Sequence, residues 1–338
     1  MEALLTRVQF RGTFTDFDRV REIAEAAVRD LPNRPEPLQL RARAASAVHR
    51  FEDAVKDLQA AAALGADVDA RLASIRVAQG RELEAARDFA RNRVERKATL
   101  ATLGLLANAE AALGEFDAAD EHYAAALAQL HDASPFLVAQ LCFQRGVMWA
   151  EQADRPDRAE PFYAEAVRRL PQYVVANVHL AEIEAHSGRR DAAIERLRGL
   201  TDRVERGVPA TLDPEPLGLL GELLAERTPG DPAAAELIGR ARAGYERLLE
   251  QHRTAFLDHG AEFFSGPGAD ATRGLALAQE NLTLRPTPRA YALTIEAAFA
   301  AHDVGLGCRL LDEAAPASRH SKNLAALIER DEGRCATR

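Results

Sequence analysis

The sequence predicts an all-α chain, a solenoid of antiparallel helix pairs, and three observations predict it. The first is composition: of 338 residues, 47% are hydrophobic and 28% charged, but only 6% are aromatic. Strands favour aromatic and β-branched side chains, whereas the alanine, leucine, arginine and glutamate that dominate here are strong helix formers. The second is a three-position pattern that returns about every 34 residues: Val20, Ala24, Ala27; Ala54, Leu58, Ala61; Ala85, Phe89, Asn92; Ala119, Tyr123, Ala126; Ala159, Tyr163, Ala166; Ala193, Leu197, Leu200. The leading residues are 34, 31, 34, 40 and 34 apart. The third is a second amphipathic helix before each of these, closed by glycine as at Gly114 and Gly188, the expected stop.

Taken in order, the pattern predicts six regular pairs at 1–34, 35–65, 66–99, 100–133, 139–173 and 174–207, with His131 to Leu137 lengthening one loop. Beyond residue 207 it degrades. The proline-punctuated stretch Val208 to Pro216 leads into a seventh, irregular pair over 214–252, split by the TPGDP turn at Thr228 to Pro232. An eighth pair runs from Phe256 across the SGPGAD loop to Pro286, and a ninth from Tyr291 to Ala314. Ser321 to Gly333 reads as a closing helix with Leu324, Leu327 and Ile328 inward, since a repeat stack needs a cap over its last core face. The division expected is therefore 1–207 regular, 208–320 irregular but continuous, and 321–338 cap and tail. The whole is one elongated solenoid.

These spacings make the chain resemble a tetratricopeptide repeat protein, whose first helix carries Trp-x2-Leu-Gly-x2-Tyr and whose second carries Ala-x3-Phe-x2-Ala-x4-Pro. Gly146 with Trp149 matches the Gly-x2-Tyr part, and Phe256, Gly260 and Phe263 match most of a first helix. The resemblance implies a right-handed superhelix whose first helices line a concave groove that accepts a partner's segment. Carrying the inward offsets over gives Gln39, Arg43 and Ser46; Ala70, Ser74 and Val77; Gly104, Asn108 and Ala111; Phe143, Val147 and Ala150; and Val178, Glu182 and Ala185, with His186 beyond. This floor is mostly small and apolar, with Arg43, Asn108 and Glu182 as polar anchors, which suits close approach by an apolar or helical segment. The lysine and asparagine clamp with which one subgroup holds C-terminal carboxylates is not matched, because only Lys56, Lys97 and Lys322 are lysines.

Signatures of catalysis are missing: no GxxxxGK[ST], GxSxG or HExxH. Gly266 to Gly268 and Gly305 to Gly307 are GxG pairs outside any strand-to-helix setting and read as loop glycines. His179, Glu182 and His186 share one helix face and could ligate a transition metal, but a span of two turns is wide for one ion, so no metal and no cofactor is assigned. Trp149, beside Arg145, reads as packing. The run Arg91, Arg93, Arg96 and Lys97 ends a helix, where the dipole favours cations, and with a net charge of -9 it reads as solvated surface rather than a nucleic-acid site. His252, Asp258, His259 and Glu262 are the residues an enzyme hidden in 208–288 would use.

The expected function is a non-enzymatic scaffold or adaptor for a protein or peptide segment. The alternative is a regulatory or sensor subunit that binds a peptide or small ligand and acts on a separate effector chain. Residues 1–12 lack a secretory apolar core and no apolar run approaches about 18 residues, so no membrane partner is expected. Cys142, Cys308 and Cys335 imply neither a disulfide framework nor a zinc knuckle, which with the soluble composition points to the cytoplasm. The scarcity of lysine beside arginine points to a GC-rich bacterial source.

Overall fold

A computed structural model describes residues 1–130, 134–202 and 211–335. Among them run nineteen α-helices and no strand. They form nine antiparallel pairs: α1 (Glu2–Arg11) with α2 (Asp16–Asp30), α3 (Pro35–Ala47) with α4 (Phe51–Ala63), α5 (Asp69–Gln79) with α6 (Leu83–Arg96), α7 (Leu100–Ala112) with α8 (Phe116–Ala128), and α9 (Pro135–Val147) with α10 (Pro156–Arg169). There follow α11 (Val174–His186) with α12 (Arg190–Thr201), α13 (Glu215–Arg227) with α14 (Pro232–His252), α15 (Leu257–Ser265) with α16 (Ala271–Leu284), and α17 (Pro288–Ala300) with α18 (Val304–Ser318). A last helix, α19 (Lys322–Asp331), closes the stack.

Alanine sets the spacing within each pair. Ala24, Ala54, Ala86, Ala119, Ala159 and Ala193 are all 0% exposed, because a second helix can lie close to the first only where its side chain is a methyl group. Large residues fill the gaps to the next pair; Tyr163 lies flat enough on α9 that a side chain at Gly146 would collide with its ring. Start signals are chemical. Thr99 and Thr102 form a capping box on α7, and Asp231, Asp270, Thr287, Asp303 and Ser321 each accept a backbone N–H in the first turn of the helix they precede.

The solenoid is not elongated. The turn inside each of the first four pairs docks on the loop that follows the pair five places further on. The Gly12 turn meets Asp213, and the Thr211 hydroxyl donates to the Arg11 carbonyl at 3.4 Å. Thr254 donates to the Val48 carbonyl at 2.7 Å, with His49 Nδ1 3.2 Å from the Thr254 carbonyl. Gly80 abuts Pro286 and Thr287, and His320 Nδ1 lies 2.8 Å from the Leu113 carbonyl with Gly114 against its backbone. Successive windings thus sit edge on edge. The surface, 16505 Å² for 36.8 kDa, exceeds the about 13,600 Å² of a compact globular monomer of that mass by roughly a fifth.

Other expectations change as well. In the third pair the buried positions are Ala86 and Ala90, while Ala85 is exposed and Phe89 only half-buried beneath the Arg93 guanidinium. The large Phe89 had drawn the alignment one residue early. Pro135 to Leu137 belong to α9, so the fifth pair starts before 139; His131 to Ala133 lie outside the described residues, as does the boundary at 207/208. Gly305 and Gly307 are not loop glycines. Both lie in α18, where Gly307 makes room for the Phe299 ring. Cys308 and Cys335 form a disulfide, with Cα atoms 5.7 Å apart at a sequence separation of 27. Their distance in sequence concealed a neighbourhood created when α19 folds back on α18. Disulfides persist in oxidising compartments, so the cysteines lend no support to a reducing one.

Two outcomes are expected. Thiol titration in denaturant finds one reactive cysteine, Cys142, before reduction and three after it, and reduction lowers unfolding free energy by about 3 kcal/mol, the loop-closure contribution. Gly114 has φ +79° and His320 Cα 3.0 Å from where a Cβ would stand. Gly114→Val therefore costs about 2 kcal/mol and parts the windings, which small-angle scattering reads as a larger radius of gyration.

Candidate functional site

The first helices face inward and enclose a chain of cavities. One of about 430 Å³ is lined by Ser74, Val77, Leu105, Asn108, Phe143 and Val147, with Glu151, Gln152, Arg289 and Ser321 at its far side. A second, about 370 Å³, is lined by Val178, His179, Glu182, Glu215, Leu219, Glu222, Tyr245, His259, Glu262 and Phe263, again with Glu151 and Arg289. A third, about 340 Å³, holds Arg43, Ser46, Arg71 and Ser74. Ser74 joins the third cavity to the first, and the ion pair between Glu151 and Arg289, 3.0 Å, stands between the first and second.

The expected groove residues therefore separate. Ser74, Asn108, Phe143 and Val147 converge on the first chamber, Val178 and Glu182 on the second, and Arg43 on the third. Two do not reach a cavity. The Gln39 backbone carbonyl accepts from the Arg71 guanidinium, and His186 is exposed with Nδ1 2.7 Å from the Glu182 carbonyl of its own helix. His186 is thus turned away from His179, and no group of three or more potential metal ligands gathers among the described residues. Asn108 also works structurally, accepting the Tyr123 hydroxyl at 2.6 Å. Trp149 is packing: it is 3% exposed, donates to Asp120 at 2.9 Å and lies under the Arg158 guanidinium. Arg93 pairs with Asp67, and Arg91, Arg96 and Lys97 are exposed.

The second chamber is electrostatically built. Arg289 at the start of α17 bridges Glu151 and Glu262, at 3.0 and 2.8 Å. His179 Nδ1 is 3.0 Å from Glu182 with Nε2 3.6 Å from Glu151, and His259 Nδ1 is 3.1 Å from Glu215. Burial disfavours the imidazolium forms, but Glu182 and Glu151 overcome it and raise His179 to about 9, and Glu215 and Asp258 hold His259 well above its ordinary value. Both are cations at neutral pH. The aromatic faces of Tyr163 and Phe143, with ring centroids 5.4 and 5.6 Å from that of His179, add to that preference. Burial, then Glu226 and Glu182, push the Glu222 carboxyl up; burial and Glu215 lift Asp213 to about 7. Of the four residues an enzyme would have used, Asp258, His259 and Glu262 lie together on α15 and His252 lies apart. His259 and Glu262 line the chamber, Asp258 is paired with Arg285 at 2.7 Å, and His252 packs on Phe17.

Glu151, Glu215 and Glu222 were not anticipated. Glu151 stands one turn beyond Val147, in a π-helical turn, Met148–Gln152. Glu222 had a legible signal. Glu182, Glu222 and Glu262 stand 40 residues apart, as do His179, Leu219 and His259, and all six line one chamber.

A tetratricopeptide repeat family model matches residues 150–206, so the chain carries tetratricopeptide repeats there, as its spacing implied. No curated protein matches the sequence. Solved structures with a likeness include an APC/C hetero-tetramer Cut9–Hcn1 (TM-score 0.47, 14% identity, 94% of this chain and 58% of that one). Others are yeast Tom70 (TM-score 0.34, 14% identity, 96% and 87%) and a tetratricopeptide repeat protein from Parabacteroides merdae (TM-score 0.37, 16% identity, 93% and 97%). This chain spans 58% of the length of the chain it matches in that hetero-tetramer, and likenesses this distant bear on no functional detail.

The imidazoles make stability depend on pH. An unfolded histidine titrates near 6.5; His179 folded titrates at about 9. The folded form holds the proton more tightly, so its contribution is complete below about pH 6.5 and is lost as pH rises through about 9. The urea midpoint is expected to fall across that window, and less so in His179→Gln. Equal falls in both proteins would show that His179 is not held charged.

Proposed function

We propose that the chain is a non-enzymatic interaction scaffold that takes a short segment of a partner protein into its inner groove. The observation that carries this reading is the convergence of first-helix side chains on two adjoining chambers of about 430 and 370 Å³, one largely apolar and one charged. Such a pair suits neighbouring side chains of an extended segment. A long partner helix, about 10 Å across, suits chambers of this size less well than an extended segment does, so of the apolar or helical segments expected from the groove floor we favour an extended one. Histidines held as cations are poor general bases at neutral pH, which favours binding over catalysis. No helix among the described residues is long and apolar enough to cross a membrane.

A second reading, a sensor subunit for a small ligand, is favoured by the same enclosure, since cavities of roughly 300–1,000 Å³ are of ligand size. Native mass spectrometry of the protein purified from its host separates the two: a retained small mass supports the sensor, a bound chain the scaffold.

Val147→Trp fills the first chamber without emptying the core. Capture of the bound chain by the immobilised protein is expected to fall at least about tenfold, the effect of some 1.4 kcal/mol, with the melting curve unchanged. The exposed control Glu121→Lys should capture normally. Undiminished capture by Val147→Trp would place the binding surface outside the groove.

A further inference from the structure

The second chamber contains a ladder with one rung altered. On α11 and α15 the inward glutamate has a histidine three residues before it: His179 with Glu182 at 3.0 Å and His259 with Glu262 at 3.9 Å. On α13, between them, the histidine position is Leu219, and Glu222 has neither an ion-pair nor a hydrogen-bond partner among the described residues. Around the cavity five glutamates, at 151, 182, 215, 222 and 262, face only three cations, His179, His259 and Arg289.

A second unpartnered group lies behind the chamber wall. Tyr163 is 0% exposed and its hydroxyl has no partner. In the preceding pair the equivalent Tyr123 reaches inward to Asn108 at 2.6 Å, but the residue matching Asn108 on α9 is Val147, which cannot accept. The Tyr163 ring stacks on His179 at 5.4 Å and 12°, and Glu151 and Glu182 are the carboxylates that act most strongly on it. An orphaned buried donor is costly. Here it lies beneath the wall of a cavity that already has a surplus carboxylate.

We propose, building on the groove-binding reading, that this chamber is a cation site: it takes an alkylammonium or guanidinium group, with Glu222 as counter-ion and Leu219, Tyr245 and Phe263 against its aliphatic stem. The missing histidine is the vacancy the ligand's charge fills. Aromatic rings, with Tyr245 and Phe263 centroids 4.9 Å apart, favour a cation over an anion at their faces, and the five carboxylates repel an acidic ligand. The group can be borne by an arginine or lysine of a partner's segment or by a free small amine.

Calorimetry with three probes distinguishes these: the blocked tripeptide acetyl-Ala-Arg-Ala-amide, its citrulline counterpart, which is near-isosteric but uncharged, and agmatine. The arginyl peptide is expected to bind about tenfold or more tightly than the citrulline peptide, an advantage that shrinks with salt. Glu222→Gln should abolish the difference. Leu219→His, which rebuilds the missing rung and supplies an internal cation, should abolish it too while leaving the carboxylate in place. A peptide preferred over agmatine identifies a segment as the source; agmatine bound equally well identifies a free amine, supporting the cation site while overturning the segment reading. If arginyl and citrulline peptides bind alike, the cation site is wrong and groove binding stands. If neither arginyl peptide nor agmatine binds, the cation site is wrong, and the segment reading is judged by the Val147→Trp capture alone.

Discussion

Edge-to-edge contact between windings is the constraint on which the rest of the molecule depends. A stack of helix pairs buries surface only between neighbours, so its stability grows pair by pair and its shape is free to extend. Here four successive turns meet four successive loops through backbone groups, at Gly12, Val48, Gly80 and Leu113. Backbone contact demands small residues and left-handed conformations at the point of approach, which explains why Gly80 and Gly114 do two jobs. Each ends a first helix and admits the neighbouring winding. The N-terminal helix consolidates the closure by burying Phe10 against Tyr173, centroids 4.6 Å apart.

Closure also shapes the electrostatics. On an open solenoid the inner face would be washed by water, and its carboxylates and imidazoles would be nearly independent. Once the windings meet, Arg289 of the ninth pair is brought to Glu151 of the fifth, 138 residues away in sequence, with Glu262 of the eighth on its other side. Partial burial then strengthens each interaction and raises the cost of each unpaired charge. Although burial opposes them, the charged imidazoles follow from carboxylates on their own helix and the adjacent pair, Glu182 and Glu151 for His179 and Glu215 and Asp258 for His259, while burial is the first cause of the upward shift at Glu222.

The helices were legible because their cause is local and repeated. Alanine at the contact positions and glycine or capping residues at the ends act within a few residues of where they stand, so reading them pair by pair recovers the solenoid even where one pair, at Ala86, is read one residue out. Winding closure was not legible, because it depends on a small rotation per pair summed over five pairs, and nothing in one repeat encodes the sum. The Cys308–Cys335 bond was hidden for a related reason, since a partner 27 residues distant becomes a neighbour only when the cap folds back. Part of the candidate site, Ser74, Asn108, Phe143, Val147, Val178 and Glu182, followed from inward offsets. Glu151 did not, because the inward series was ended at Ala150 on that helix, although Glu151 stands at the offset that His186 holds on the next first helix.

The glutamates at 182, 222 and 262 show why the irregular pairs hold functional information that the regular ones lack. In pairs two to four the inward face varies from arginine to serine to asparagine, as expected where packing makes no demand. Across pairs six to eight the inward glutamate is kept at an exact interval of 40 residues, although that position faces a cavity and contributes little to the core. Burial penalises a carboxylate there, and two of the three rungs offset the penalty with an imidazolium. A stability argument would put apolar side chains at all three, as it does for the neighbouring Ala181, Gly221 and Ala261, which pack the helices together. A carboxylate held against its own desolvation cost, with leucine at the histidine position and no cation paired to it among the described residues, is the physical ground for the cation site proposed above.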